Sequence, residues 1–219
     1  MKNKRIAVIL AGCGVYDGAE IHESVLTLLR LDQHGAEVKC FAPNISQMHV
    51  IDHLTGDESV SESRNVLVEA ARITRGEITD LEQASAEAFD GVIVPGGFGA
   101  AKNLCNFAVE GSEMAVNESF KRFIQAMHRA GKPVGLICIA PVMAMQLFGE
   151  GVECTIGNDT LTAEAIENMG GQHKICAVGE VHIDQTHKLV TTPAYMLAER
   201  ISEAATGINL LVDTILEMD

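Results

Sequence analysis

"KPVGLICIAP", residues 132–141, brings a short apolar run to a cysteine and follows it three positions later with a proline. A run of this length, opened by Pro133 and rich in branched residues, has the form of a buried strand. Pro141 suits the first turn of a helix, where its missing N–H costs nothing. The stretch therefore predicts a strand ending at Cys138 and a helix starting directly after it. A residue at such an elbow is held in a strained conformation at the edge of the sheet. The helix must pack back on the strand, and Ala140 supplies a small residue for that. A thiol there feels the positive end of the helix dipole, which favours thiolate. The elbow pattern is half met, because the glycine usual two positions before the nucleophile is Leu136. On the residues alone two readings stand: a nucleophile at an elbow, or a cysteine buried at a strand end, a common place for cysteine.

Working outward, β-branched runs alternate with helical periodicity. "RIAVILA" (5–11), "AEVKCFAP" (36–43) and "DGVIVPGG" (90–97) read as strands. Helical patterns cover 19–35, with Gly35 as C-cap, then 63–76, 80–89, 117–131, 140–149 and 163–170. Residues 174–192 suggest hairpin-like strands and a last sheet strand, and 194–218 a closing helix. Segment 44–61 is polar and weakly periodic, and its place between strands suggests a lid. The alternation predicts one α/β domain over 1–219, a mostly parallel sheet with helices on both faces. Sites in such sheets form at the carboxyl ends of strands, here at 12–23, 95–104 and 138–141.

Of the 219 residues 47 % are hydrophobic, yet no apolar run approaches the roughly 20 residues of a membrane span. The start "MKNKRIAVILAGCG" lacks a cleavage pattern and reads as the first strand of a cytoplasmic protein. A net charge of −14 without any basic stripe argues against nucleic-acid binding. Cysteines at 13, 40, 105, 138, 154 and 176 form no CxxC pair and are expected as free thiols.

Other chemistries fit poorly. "GCGVYDG" after the first strand gives G-x-G-x-x-D, and Asp17 would bring negative charge towards a pyrophosphate. "GGFGAAKN" (96–103) lacks the G-K-[ST] of a P-loop. His49 and His53 have i, i+4 spacing around Asp52 but no helix signal, and read as surface histidines.

"KRIAVILAGCG", "DGVIVPGGFGAAKNL", "GLICIAP" and "KLVTTPA" together resemble the PfpI/ThiJ superfamily, relatives of class I glutamine amidotransferases, over nearly the whole chain. The resemblance implies a flavodoxin-like three-layer sandwich with Cys138 as nucleophile on the elbow. It implies an acidic partner at the start of the first helix. Counting back twelve positions from Gly35 gives Glu23, with Glu20 and Asp17 as alternatives. It carries the oxyanion hole onto the N–H groups of Gly97 and Ile139. Protease-like members have a histidine directly after the cysteine, where this chain has Ile139. Others have one where Gly157 stands here. "HID" (182–184) only approaches the late His-x-Glu of glutamine amidotransferases, and looks like an alternating surface pattern.

Chemistry without a histidine suits small dicarbonyls better than amides, because no amine leaving group needs a proton. The resemblance therefore implies a cofactor-free, glutathione-independent glyoxalase. Its substrate is a small dicarbonyl, its partners include neither nucleic acid nor membrane, and it forms a homodimer. A redox-sensing or regulatory accessory protein affecting isoprenoid metabolism is the second reading, with Cys13 as a conceivable resolving thiol. An amidase or deglycase is the third.

Overall fold

The computed structural model describes residues 3–218. Its strands are β1 (Arg5–Ile9), β2 (Glu37–Ala42), β3 (Ile78–Asp80), β4 (Gly91–Val94), β5 (Val134–Ile137), β6 (Glu153–Cys154), β7 (Gln172–His173), β8 (His182–Asp184) and β9 (Leu189–Thr192). Its α-helices are α1 (Ile21–Gln33), α2 (Val66–Ala70), α3 (Phe107–Glu110), α4 (Glu118–Arg129), α5 (Ala144–Phe148), α6 (Thr160–Asn168) and α7 (Ile201–Glu217). Seven strands form one sheet in the order β3-β2-β1-β4-β5-β9-β8. All pairings are parallel except β8 against β9. Between β2 and β9 this is the flavodoxin-like order, and its switch point lies between β1 and β4. The flavodoxin-like α/β sandwich is the fold of this chain.

The strands are continuous apolar runs because both sheet faces are covered. Alternation still sorts their side chains. Ala7, Ile9, Val92, Val94 and Leu136 join Phe120, Phe123, Ile124 and Met127 of α4 on one face. Ile6, Val8, Ile93 and Ile137 join Leu31 of α1 and Ile208, Leu211 and Ile215 of α7 on the other. Asn117 caps α4 by accepting the Phe120 N–H at 3.1 Å. Gly35, at φ +68°, follows the C-cap of α1.

Several expected elements differ. The helix over 63–76 shrinks to α2, and turns lead on to Gly76. Residues 80–89 form two short 3-10 turns, and the edge strand β3 ahead of them gives no sequence signal in its three residues. The helix after Cys138 opens as a 3-10 turn, Ala140–Met143, before α5. The closing helix starts at Ile201, not at 194, because Ala194 takes φ +43° and breaks the helical path. Segment 44–61 is an irregular strap with a bridge between Ile51 and Glu58.

Candidate active site

Cys138 lies at the carboxyl end of β5 with φ +63°, in the left-handed region that costs a side chain about 1–2 kcal/mol. Its own N–H donates to the Thr192 carbonyl at the end of β9 at 2.9 Å, so the neighbouring strand holds the strained residue. The turn after β4 closes over it. A Cβ on Gly96 would stand 2.4 Å from the Cys138 Cβ, so only glycine allows this approach. Cys138 is buried, 7 % exposed. It meets the Glu23 carboxylate and the N–H groups of Gly97 and Ile139.

Glu23 stands in the first turn of α1 and is fully buried. Its Oε2 accepts the Gly96 N–H at 2.9 Å and its Oε1 the Tyr195 N–H at 3.3 Å. Among the described residues no lysine or arginine is one of its partners. Burial, and then the charge of Glu20, push its carboxyl up to about 7, against the pull of those two N–H groups and of the Cys138 thiol. Burial, and then the Glu23 charge, push the Cys138 thiol up as well, and the Gly97 and Ile139 N–H groups oppose this. Two groups that each resist ionisation beside the other titrate as one unit. Near neutrality that unit holds at most one negative charge. Two backbone N–H groups donate to the carboxylate, and those of Gly97 and Ile139 favour charge on the sulfur.

The other acids on this connection have other duties. Glu20 is the N-cap of α1, with Oε2 accepting the Glu23 N–H at 2.7 Å. Asp17, 2 % exposed, accepts the Ile51 N–H at 2.8 Å and lies 3.8 Å from His53 Nε2. It ties the strap to the loop after β1. His53 in turn accepts the Tyr16 N–H at 3.2 Å. Neither His49 nor His53 belongs to a group of three metal-ligating side chains among the described residues.

At Gly157, φ +102°, a Cβ would meet Leu197 Cγ at 2.8 Å. Leu197 fills the space a histidine would need. His182 on β8 pairs with Glu153 of β6 at 3.0 Å. Cys13 is half-buried, with Glu69, Arg72 and Asp17 as its charged neighbours, surroundings it does not share with Cys138. Sequence reasoning missed Tyr195 and His22. Tyr195 lies where the sequence reads as helix, and His22 looks like any solvated residue of a first turn. The Tyr195 hydroxyl stands 2.8 Å from His22 Nδ1.

No family model matches the chain. It is 50 % identical over 223 aligned positions to the human glutamine amidotransferase-like class 1 domain-containing protein 3, mitochondrial, covering 98 % of this chain and 83 % of that protein. It is 36 % identical to the zebrafish ES1 protein, mitochondrial, covering 89 % of this chain and 77 % of the relative. Among solved structures, an Ehrlichia chaffeensis isoprenoid biosynthesis protein with an amidotransferase-like domain superposes with a TM-score of 0.88 at 39 % identity, over 96 % of this chain and 98 % of that one. A DJ-1 superfamily protein from Salmonella typhimurium shares the fold at a TM-score of 0.55 and 21 % identity, over 92 % and 84 % of the two chains. The cytoplasmic location expected from the sequence is contradicted by these relatives, since the human, rat and zebrafish proteins are all named as mitochondrial.

Proposed function

This chain belongs to the family of the glutamine amidotransferase-like class 1 domain and ES1 proteins, and we propose that it is a cofactor-free glyoxalase, as its resemblance to the bacterial glyoxalase ElbB implies. The observation that carries the reading is the buried Glu23–Cys138 pair, held by backbone N–H groups and, among the described residues, with no histidine acting directly on either member. The nearly closed thiol admits only a small electrophile, and glyoxal is one.

The steps follow from the pair. The Cys138 sulfur adds to one aldehyde carbon, and its proton passes through Glu23 to the carbonyl oxygen, giving a hemithioacetal. The N–H groups of Gly97 and Ile139 stabilise the oxyanion as it forms. The Glu23 carboxylate removes the hydrogen from the former aldehyde carbon and returns a proton to its neighbour, while the hydroxyl proton of the first carbon passes to the oxygen of the second, leaving a thioester beside a CH2OH group. A carboxyl that titrates near neutrality can do both. Water then cleaves the thioester, releasing glycolate and restoring the thiol. The homodimer implied by the resemblance belongs to the same proposal. Ile21, Val25 and Leu29, exposed at every fourth position of α1, offer an apolar face for it, and sedimentation equilibrium tests it.

Glyoxal turnover without glutathione, followed as glycolate in the wild type, Cys138→Ala and Glu23→Gln, tests the reading. Loss of glycolate in both folded variants is expected. Equal rates in all three, or none from the wild type, overturn it. The second outcome favours a redox-sensing or regulatory thiol. The Ehrlichia relative's name as an isoprenoid biosynthesis protein points towards that reading.

A further inference from the structure

Among the described residues four non-glycine residues have positive φ: Arg75, Cys138, Lys188 and Ala194. Arg75 is exposed and Lys188 half-buried in the β8–β9 turn, places where a strained turn is unremarkable. Cys138 and Ala194 are buried, at the carboxyl ends of the adjacent strands β5 and β9. Cys138 presents the thiol. Ala194, at φ +43°, bends the chain after Pro193 so that the next N–H, that of Tyr195, points at Glu23 Oε1.

Nothing in an alanine side chain favours that conformation, so something else must hold it. The Leu197 and Ala198 N–H groups close the turn on the Ala194 carbonyl at 3.0 and 2.8 Å. The other hold is the Tyr195 side chain, whose hydroxyl bonds His22 Nδ1 at 2.8 Å. His22 and Glu23 are consecutive on α1. Tyr195 is therefore gripped twice by the same helix turn, by its hydroxyl at His22 and by its main chain at Glu23.

We propose that Tyr195 and His22 form a latch that positions the strained turn after β9 against Glu23, and so decide which member of the Glu23–Cys138 pair carries the shared negative charge. Among the described residues the groups facing Glu23 are Glu20 from its own helix cap, the Gly96 N–H from the turn after β4, Cys138 from the end of β5 and the Tyr195 N–H from the turn after β9. Only the last is adjustable without touching the pair. At 3.3 Å its N–H bond is also the longer of the two on the carboxylate. Burial and the charges of Glu20 and Glu23 push the Tyr195 hydroxyl up, so it stays a neutral partner for His22. With the latch released, the carboxylate loses a donor and the charge moves towards sulfur. More of the thiol is ionised and nucleophilic, while less of Glu23 is ionised and available to take a proton.

The inference deepens the glyoxalase reading, but its test does not need turnover. Alkylation of Cys138 by iodoacetamide, located by peptide mass spectrometry, is followed against pH for the wild type, Tyr195→Phe, His22→Ala and His22→Asn. The expected result is an alkylation rate at pH 7 raised about threefold in Tyr195→Phe and in His22→Ala. His22→Asn, which keeps a hydrogen-bonding atom near the Nδ1 position, should restore the wild-type profile. Where the wild type turns over glyoxal, the two latch variants should lose kcat as their alkylation rises. Unchanged alkylation profiles in both variants, or alkylation and kcat falling together, overturn the latch. A wild type without turnover but with the expected alkylation pattern overturns the glyoxalase reading alone.

Discussion

Asp17 lies on the connection between β1 and α1 and Glu23 in the first turn of α1, six residues on, and both are buried carboxylates. Asp17 takes the Ile51 N–H, stands near the His53 ring, and holds a surface strap in place. Glu23 takes two N–H groups from the ends of two other sheet connections and faces a thiol. Burial of a carboxylate therefore does not mark a site by itself. Glu23 is set apart by an acidic neighbour in place of a cation and by a second proton-bearing group at its side, which together keep its proton mobile.

The comparison breaks first at activity. Glu23→Gln should lower glyoxal turnover by about 10²–10⁴, whereas Asp17→Ala, which loosens only the strap, should lower it by less than about tenfold. Rates measured on both purified variants check this, and equal losses would erase the distinction drawn here.

Stability against pH sharpens it further. The Glu23 carboxyl is raised in the folded chain from 4.5 to about 7, so the folded state binds the extra proton between those values. Its stabilising share is fully present below about 4.5 and is lost as pH rises through 7, a change of about 3 kcal/mol at most. Urea unfolding from pH 4.5 to 8 should show the wild type losing stability relative to Glu23→Gln. Parallel curves would place the carboxyl in ordinary surroundings.

A smaller effect belongs to Asp17. Asp17→Ala leaves the Ile51 N–H without its partner and should cost about 1–3 kcal/mol, with faster proteolysis within 44–61. A variant as stable and as protease-resistant as the wild type would show that the strap does not depend on this bond.

The central strands and the elbow were legible because their signals are local: branched apolar runs, and a cysteine followed by Ala140 and Pro141. Glu23 was reachable only through the family resemblance, which sets the acid twelve positions before Gly35, and Asp17 and Glu20 differ from it only in partners brought from elsewhere. The turn at Ala194 was not legible. Its residues are apolar and helix-compatible, and only the tertiary grip on Tyr195 keeps alanine at φ +43°. The edge strand β3 and the 3-10 turns near it were missed for a related reason, since three-residue elements are fixed by neighbours rather than by pattern. The cytoplasmic expectation rested on the lack of a cleavage pattern at the N-terminus, and the mitochondrial names of the relatives overturned it.

The most direct test of the account is glyoxal turnover by the wild type in D2O without glutathione, with glycolate examined by NMR. If Glu23 carries the proton between the two carbons, its exchange with solvent puts deuterium on the C2 carbon of glycolate. Glycolate formed without that label, or no glycolate at all, would contradict the assignment.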